Sequence, residues 1–181
     1  MGDVGRGFYV KPDIPEIFKN ELVPLADIVT PNQFELEALT GIETPDIDSA
    51  RRAVDMIHEK GPGIVLVTSY RDSNRQDSNR IGMLVSDKTG LYSINTPELP
   101  LGAGMAGSGD ITASVFLSRY LETGDVKKSL ELCTASIFGI LEKSISPTPN
   151  TQHPFPILEM KIIEAQRELD SPSHFFAACK L

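Results

Sequence analysis

Gly63-Ile64-Val65-Leu66-Val67-Thr68-Ser69 is a continuous aliphatic run, rich in β-branched residues, with a glycine before it and two hydroxyl residues after it. A strand with one face in solvent alternates apolar and polar residues. An unbroken run marks a strand covered on both faces, as in the parallel sheets of α/β proteins. Upstream, Ala26-Asp27-Ile28-Val29 reads as another short strand, and two helical segments separate the pair. The first of these starts at Thr30-Pro31, with Thr30 able to cap and Pro31 at the first helical position, where its missing N–H costs nothing. It carries Phe34, Leu36 and Leu39 and closes at Gly41. The second starts at Asp48 or Ser49, turns Ala50, Ala53, Val54 and Ile57 inward, and ends at Gly61. Further upstream, Ile17, Phe18, Leu22 and Leu25 predict a helix from Ile14 to about Leu25, with Pro15 in its first turn. Residues 1–15 read as a loop with a short extended piece at Phe8-Tyr9-Val10.

Downstream, the polar segment 70–80 predicts a mobile surface loop. Ile81 to Val85 and Leu91 to Ile94 flank Asp87-Lys88-Thr89-Gly90 and predict a hairpin. Helices are expected through Val115, Phe116 and Leu117 to about Leu121, from about Val126 to Leu141, and over about 157–169 after a proline-rich connector at 146–156. His174 to Ala178 is apolar enough for a final strand. Helices alternating with strands predict an α/β fold with a largely parallel sheet flanked by helices.

Composition narrows the class. The chain has 181 residues, with 17 Lys plus Arg against 25 Asp plus Glu and a formal charge of −8. That length suits one domain over 1–181. Net acidity without a basic stripe argues against a nucleic-acid binder. No stretch approaches the ~18 consecutive apolar residues of a membrane span, and the first residues lack a signal-peptide pattern. Cys133 and Cys179 stand far apart with no partners at metal-ligand spacing, as expected of thiols in a reducing cytosol. His58 reads as a helix-surface residue. A cytoplasmic enzyme is the expected class.

Three segments carry possible chemistry. Gly104-Met105-Ala106-Gly107-Ser108-Gly109-Asp110 opens a helix. Glycines allow close backbone approach and positive φ, and the first amides of a helix are unpaired and carry partial positive charge. Together they make an anion site. An Asp there opposes a phosphate unless it takes the proton of an attacking hydroxyl, as a general base does in phosphoryl transfer. The alternative is a tight turn in which Asp110 only favours the helix dipole. No Lys follows the last glycine, so this is not a Walker A loop. In Thr30-Pro31-Asn32-Gln33-Phe34-Glu35, Asn32 and Glu35 share a helix face. They could hold a hydrated cation with phosphate oxygens, or form a capping arrangement with Glu35 solvated. Thr68 and Ser69 stand at the carboxyl end of a buried strand, the edge where α/β sheets bind ligands; plain strand termination is the other reading.

Taken in order, these segments resemble the pyridoxal kinase branch of the ribokinase-like superfamily. Ala26 to Glu35 is similar to the family's stretch ending in Asn-x-x-Glu. Gly107-Ser108-Gly109-Asp110 resembles its Gly-Thr-Gly-Asp anion hole and catalytic Asp, with Ser for Thr. Met1-Gly2-Asp3 resembles the end of an Asp-Pro-Val-(Met/Leu)-Gly-Asp motif, and Gly7-Phe8-Tyr9-Val10 resembles the family's residues just after that motif. Phe175 to Leu181 is similar to the end of bacterial pyridoxal kinases. The resemblance implies a ribokinase-like fold incomplete at its N-terminal side, the first βα units and most of the vitamin pocket being absent. It implies ATP-dependent phosphorylation of the 5′-hydroxymethyl group of pyridoxal, and of pyridoxine and pyridoxamine, in vitamin B6 salvage. Asp110 would be the base, with the amides of Gly107, Ser108 and Gly109 stabilising the transferring phosphoryl. Asp3, Asn32 and Glu35 would serve the Mg²⁺–phosphate region, with Asp3 and Glu35 as metal ligands. Tyr9, Thr30, Thr68 and Ser69 would contact ATP, and residues between Ile94 and Met105 would border the adenine. A monovalent cation and a homodimer are implied as well. Two other readings stand beside this one. The first is a hydroxymethylpyrimidine kinase, whose branch typically has Cys where Asp110 stands. The second is a nucleotide-binding module without turnover.

Overall fold

The apolar run at Ile64–Val67 is buried and lies in an inner strand of a five-stranded sheet. The computed structural model describes residues 1–74, 77, 79–101, 105–145 and 159–181. They fall into two units, Met1–Asn95 with Cys179–Leu181, and Thr96–Ala178.

In the first unit a small antiparallel hairpin pairs β1 (Gly2–Asp3) with β2 (Gly7–Phe8). The helix expected from Ile14 to Leu25 is present but irregular. α1 (Ile14–Ile17) passes into a π turn at Phe18–Leu22 and a 3₁₀ turn at Val23–Leu25. Pro24 explains this. Its ring clashes with the carbonyl one turn back, so the helix widens before it and the Val23 N–H reaches back to the Phe18 carbonyl.

β3 (Ile28–Val29) then leads into α2 (Gln33–Thr40) and α3 (Ile47–Lys60). The α2 cap is Asn32, not Thr30, and Pro31 lies outside the helix. Asn32 and Glu35 exchange two bonds, the Asn32 Oδ1 accepting from the Glu35 N–H at 2.8 Å and the Glu35 Oε2 from the Asn32 N–H at 3.0 Å. This reciprocal pair satisfies two orphan donors where a Thr hydroxyl would satisfy one. α3 likewise starts earlier than expected, capped by an Asp46–Ser49 box. Gly41 and Gly61 close the two helices.

β4 (Ile64–Tyr70), β5 (Arg80–Asp87), β6 (Gly90–Pro97) and β7 (Cys179–Lys180) complete the sheet, in the order β3-β4-β5-β6-β7. β3 runs parallel to β4, with Ile28 opposite Ile64 and Val29 opposite Val65. The β4–β5 and β6–β7 pairings are antiparallel. The α/β expectation holds, but parallel pairing among these strands is confined to β3–β4. The Lys88-Thr89 link shows why: two residues can only turn a strand back on itself, whereas a parallel return needs a crossover. The final strand falls at Cys179–Lys180 instead of 174–178. Val65, Val67, Leu36, Leu39, Ala50, Ala53, Val54 and Ile57 are the centre of this unit's core.

The second unit is built on α4 (Ser108–Thr123), α5 (Val126–Ser144) and the short α6 (Arg167–Asp170). Phe116, Leu130, Cys133 and Ile140 are fully buried. Burial pushes the Cys133 thiol up to about 12, so it is an inert core residue. The His174 and Phe176 rings lie against each other nearly parallel, and each meets the Phe138 ring edge-on. The last helix is shorter than expected; the connector and the first residues of the expected helix, through 158, lie outside the described residues. Pro172 disfavours helical backbone at Ser171 and ends it.

Glu168 on α6 is buried. Its carboxylate accepts from the Lys143 Nζ at 2.6 Å and from the Ser173 N–H and hydroxyl at 2.8 and 3.0 Å. Burial pushes its pKa up, but the Lys143 and Ser173 bonds outweigh that and hold the carboxyl below the usual range. A depressed carboxyl stabilises the fold fully above its unfolded pKa of about 4.3, and the contribution is lost as pH falls through the folded value. Thermal unfolding should therefore show an acid-side loss below about pH 4.3 that is smaller in Glu168→Gln, with no difference in pH dependence between pH 6 and 8.

Candidate functional site

The glycine-dense segment does open a helix. Gly107 caps α4 in the left-handed region at φ 82°, and no side chain caps the helix. The Ser108 N–H makes only a long 3.4 Å bond to the Met105 carbonyl, and the Ile111 N–H closes the first turn on Gly107 at 3.1 Å. Among the described residues the amides of Gly109 and Asp110 have no partner. A Cβ on Gly107 would lie 3.2 Å from the Met160 methyl, while nothing lies within 4 Å of that position on Gly109. The Asp110 side chain is exposed, and among the described residues its carboxyl has no hydrogen bond or ion pair. Gly102 to Gly104 lie outside the described residues. A helix start with free amides attracts an anion, and an unpaired carboxylate beside it is available to accept a proton.

The other expected residues belong to the first unit, where two parallel strands end. Asn32 follows β3, and its backbone bridges Thr68 at the end of β4. The Thr68 N–H donates to the Pro31 carbonyl at 2.9 Å. The Asn32 Nδ2 donates to the Gly2 carbonyl at 2.8 Å. The Glu35 Oε1 accepts from the Met1 amino group at 2.5 Å and from the Gly2 N–H at 3.3 Å. Met1 also donates to the Tyr9 hydroxyl at 3.3 Å, and Tyr9 is exposed. The structure thus joins Asn32, Glu35 and the Asp3–Tyr9 hairpin in one network, with Thr68 beside it. Thr30 is half-buried between β3 and Pro31. Ser69 is exposed, with left-handed backbone at φ 54°.

This geometry sorts the expected metal ligands. Glu35 is half-buried, and both its oxygens accept backbone N–H groups, Oε1 from Gly2 and Oε2 from Asn32. It has no oxygen left unpartnered for direct ligation. The Asp3 Oδ1 accepts from the Val4 N–H at 2.8 Å, and Oδ2 has no partner among the described residues. Among the described residues no three His, Cys, Asp or Glu side chains gather as a metal cage. One free carboxylate oxygen fits Mg²⁺, a hard cation that keeps several waters and takes few protein ligands when phosphates are present.

Two partnerships escaped the sequence. Gln33, beside Asn32, bonds Arg71 and Thr44 through its side-chain amide; only a polar residue at a helix start hinted at it. His58 is not a free surface residue, since its ring nitrogens bond the Pro62 carbonyl at 2.8 Å and the Ser86 hydroxyl at 3.0 Å.

A family model described as phosphomethylpyrimidine kinase matches residues 7–154. Pyridoxal kinase PdxY of Rubrobacter xylanophilus is 39% identical over 172 residues, which cover 95% of this chain and 56% of that protein. A crystal structure of pyridoxal kinase from Entamoeba histolytica superposes with a TM-score of 0.82 at 25% identity, covering all of this chain and 60% of that one. Pyridoxal kinase from Leishmania donovani in complex with ADP and pyridoxine shares the fold with a TM-score of 0.84 at 24% identity, covering all of this chain and 59% of that one. The chain therefore spans a little over half the length of the relatives it matches. It belongs to the phosphomethylpyrimidine kinase family, and the relatives named here are pyridoxal kinases of ribokinase-like fold.

Proposed function

We propose that this chain supplies the nucleotide-binding part and the catalytic base of an ATP-dependent kinase that phosphorylates the 5′-hydroxymethyl group of pyridoxal, with pyridoxine and pyridoxamine as further substrates. The product, pyridoxal 5′-phosphate, places the activity in vitamin B6 salvage. The observation that carries this reading is the Asp110 carboxyl in the first turn of α4, which, like the amides of Gly109 and Asp110, has no partner among the described residues. The names of its relatives, and the ADP and vitamer bound in the Leishmania enzyme, support the same substrates.

In this reading Asp110 accepts the proton of the vitamin's hydroxyl as the hydroxyl oxygen bonds to the γ-phosphorus of ATP, while the bond from that phosphorus to the β–γ bridging oxygen breaks and ADP leaves. The amides of Gly107, Ser108 and Gly109 donate to the transferring phosphoryl, where electrostatic stabilisation contributes most. Thr30, Thr68, Ser69 and Tyr9 contact ATP, and residues between Ile94 and Met105 border the adenine. Asp3 would hold Mg²⁺ through its free oxygen, with Asn32 and Glu35 acting on its water shell; the ion neutralises developing phosphate charge. A monovalent cation, a homodimer and a cytoplasmic location complete the proposal. Among the described residues no helix is long and apolar enough to cross a membrane.

Two measurements on the chain test this. Titration with the non-hydrolysed analogue AMP-PNP and Mg²⁺ should give saturable binding, and a coupled assay with pyridoxal and Mg-ATP should give pyridoxal phosphate. Absence of nucleotide binding overturns the reading. Binding without product identifies a nucleotide module without turnover, and turnover of hydroxymethylpyrimidine instead of pyridoxal moves the chain to the sister activity.

A further inference from the structure

We infer that Gln33 is a positioning residue of the nucleotide site, clamping the chain at Arg71 so that Ser69 is held in the left-handed turn at the end of β4. This deepens the ATP role proposed for Ser69 and rests on it.

β4 carries one more residue than its partner at this point. Val67 lies opposite Leu84 and Tyr70 opposite Gly82, three steps against two. A bulge of this kind interrupts the ladder and re-aims a side chain. Here the side chain is that of Ser69, which is exposed, while Tyr70 returns to the core. Ser69 is the one non-glycine residue with positive φ among the described residues. Left-handed backbone is unfavourable for a residue with a Cβ, so it persists only where the flanking chain is fixed.

Both flanks are fixed by consecutive residues at the start of α2. On one side Asn32 bridges Thr68, whose N–H is held by the Pro31 carbonyl. On the other side the Gln33 Oε1 accepts from the Arg71 N–H at 3.0 Å and its Nε2 donates to the Arg71 carbonyl at 3.3 Å. The side-chain amide thus occupies both backbone groups of Arg71, as a neighbouring strand would. The same Nε2 donates to the Thr44 carbonyl at 2.8 Å. Next to that carbonyl, Pro45 accepts from the N–H and hydroxyl of Ser73 at 2.8 and 2.7 Å. The loop after β4 is therefore tied at Arg71 to the start of α2 and at Ser73 to the chain between α2 and α3. The result is a serine hydroxyl presented at the carboxyl end of a parallel strand, where α/β sheets bind ligands. Asn32-Gln33 acts as one bracket: the first residue caps the helix and the second sets the turn.

The test uses Gln33→Leu, which keeps the bulk and removes all three bonds. Its Arg71 amide should exchange with solvent about tenfold faster while the amides inside α2 keep their protection. Its affinity for AMP-PNP should fall about fivefold to tenfold. Ser69→Ala and the double variant close a cycle. If Gln33 acts through Ser69, the double variant binds no more weakly than the weaker single variant; a merely structural role gives independent, multiplying losses. Unchanged Arg71 protection, unchanged affinity, or multiplying losses each overturn the inference. Should the unmodified chain fail to bind AMP-PNP, it is the ATP reading that falls, and Arg71 exchange still decides whether Gln33 is a clamp.

Discussion

Asp110→Asn should lower turnover by about 10³-fold while leaving AMP-PNP affinity within about threefold of the unmodified chain. The asparagine is close to isosteric and can still accept a hydrogen bond, but it cannot take up the hydroxyl proton. The substitution should not disturb the helix, because among the described residues the carboxyl holds nothing in place. The glycine turn at Gly107 and the free amides behind it remain, so the phosphate-binding donors are intact. Removing a negative charge beside those amides should, if anything, favour the triphosphate. The only structural loss is the interaction of the carboxylate with the helix dipole, about 0.3–1 kcal/mol. The competing reading, in which Asp110 serves only that dipole, makes the opposite forecast: a small drop in thermal stability and nearly normal turnover. Steady-state assays and isothermal titration on the same preparation separate the two. Equal loss of turnover and nucleotide affinity would remove the base assignment.

The features legible from sequence are those set by short-range chemistry. The Ile64–Val67 run marks a buried strand because it is short, rich in β-branched residues and bounded by turn residues. Gly41 and Gly61 mark helix ends, and Ala50, Ala53, Val54 and Ile57 mark an inner face, since each is a consequence of local geometry. The hidden features depend on partners distant in the chain. Thr30-Pro31 is a good start signal by itself, yet Asn32 and Glu35 make a better one. The Asn32 amide then also reaches Gly2, 30 residues away. Nothing in Thr68-Ser69-Tyr70 announces a bulge, because the left-handed turn at Ser69 is held by an amide from the α2 start. The direction of the strands is hidden for a related reason. An apolar run reports burial on both faces, and a mixed sheet buries its inner strands as fully as a parallel one. At the candidate site, the residue types and their order are readable. Which carboxylates are free and which are spent on backbone amides is not.

Glu35 is where that distinction has the largest consequence for stability. Its carboxylate serves the N–H groups of Asn32 and Gly2 at once. Glu35→Ala removes half of the capping box and leaves those donors short of an acceptor in a partly buried place, so the fold should lose about 2 kcal/mol. The β1–β2 hairpin, which carries Asp3 and Tyr9, should loosen with it. Glu35→Gln retains one accepting oxygen and a residue suited to a capping box, and should fall between the two. A latch and a metal ligand differ in how Mg²⁺ enters. If Glu35 is the latch described here, both variants weaken AMP-PNP binding by the same factor with and without Mg²⁺, because the loss comes from the loosened hairpin. If Glu35 ligates the ion, Glu35→Gln leaves thermal stability almost unchanged, and the weakening appears only when Mg²⁺ is present. Thermal unfolding and paired titrations, with the ion and with a chelator, decide between them. The bonds around Glu35 favour the first outcome: both its oxygens already accept backbone N–H groups, from Gly2 and Asn32, whereas Asp3 has an oxygen with no partner among the described residues.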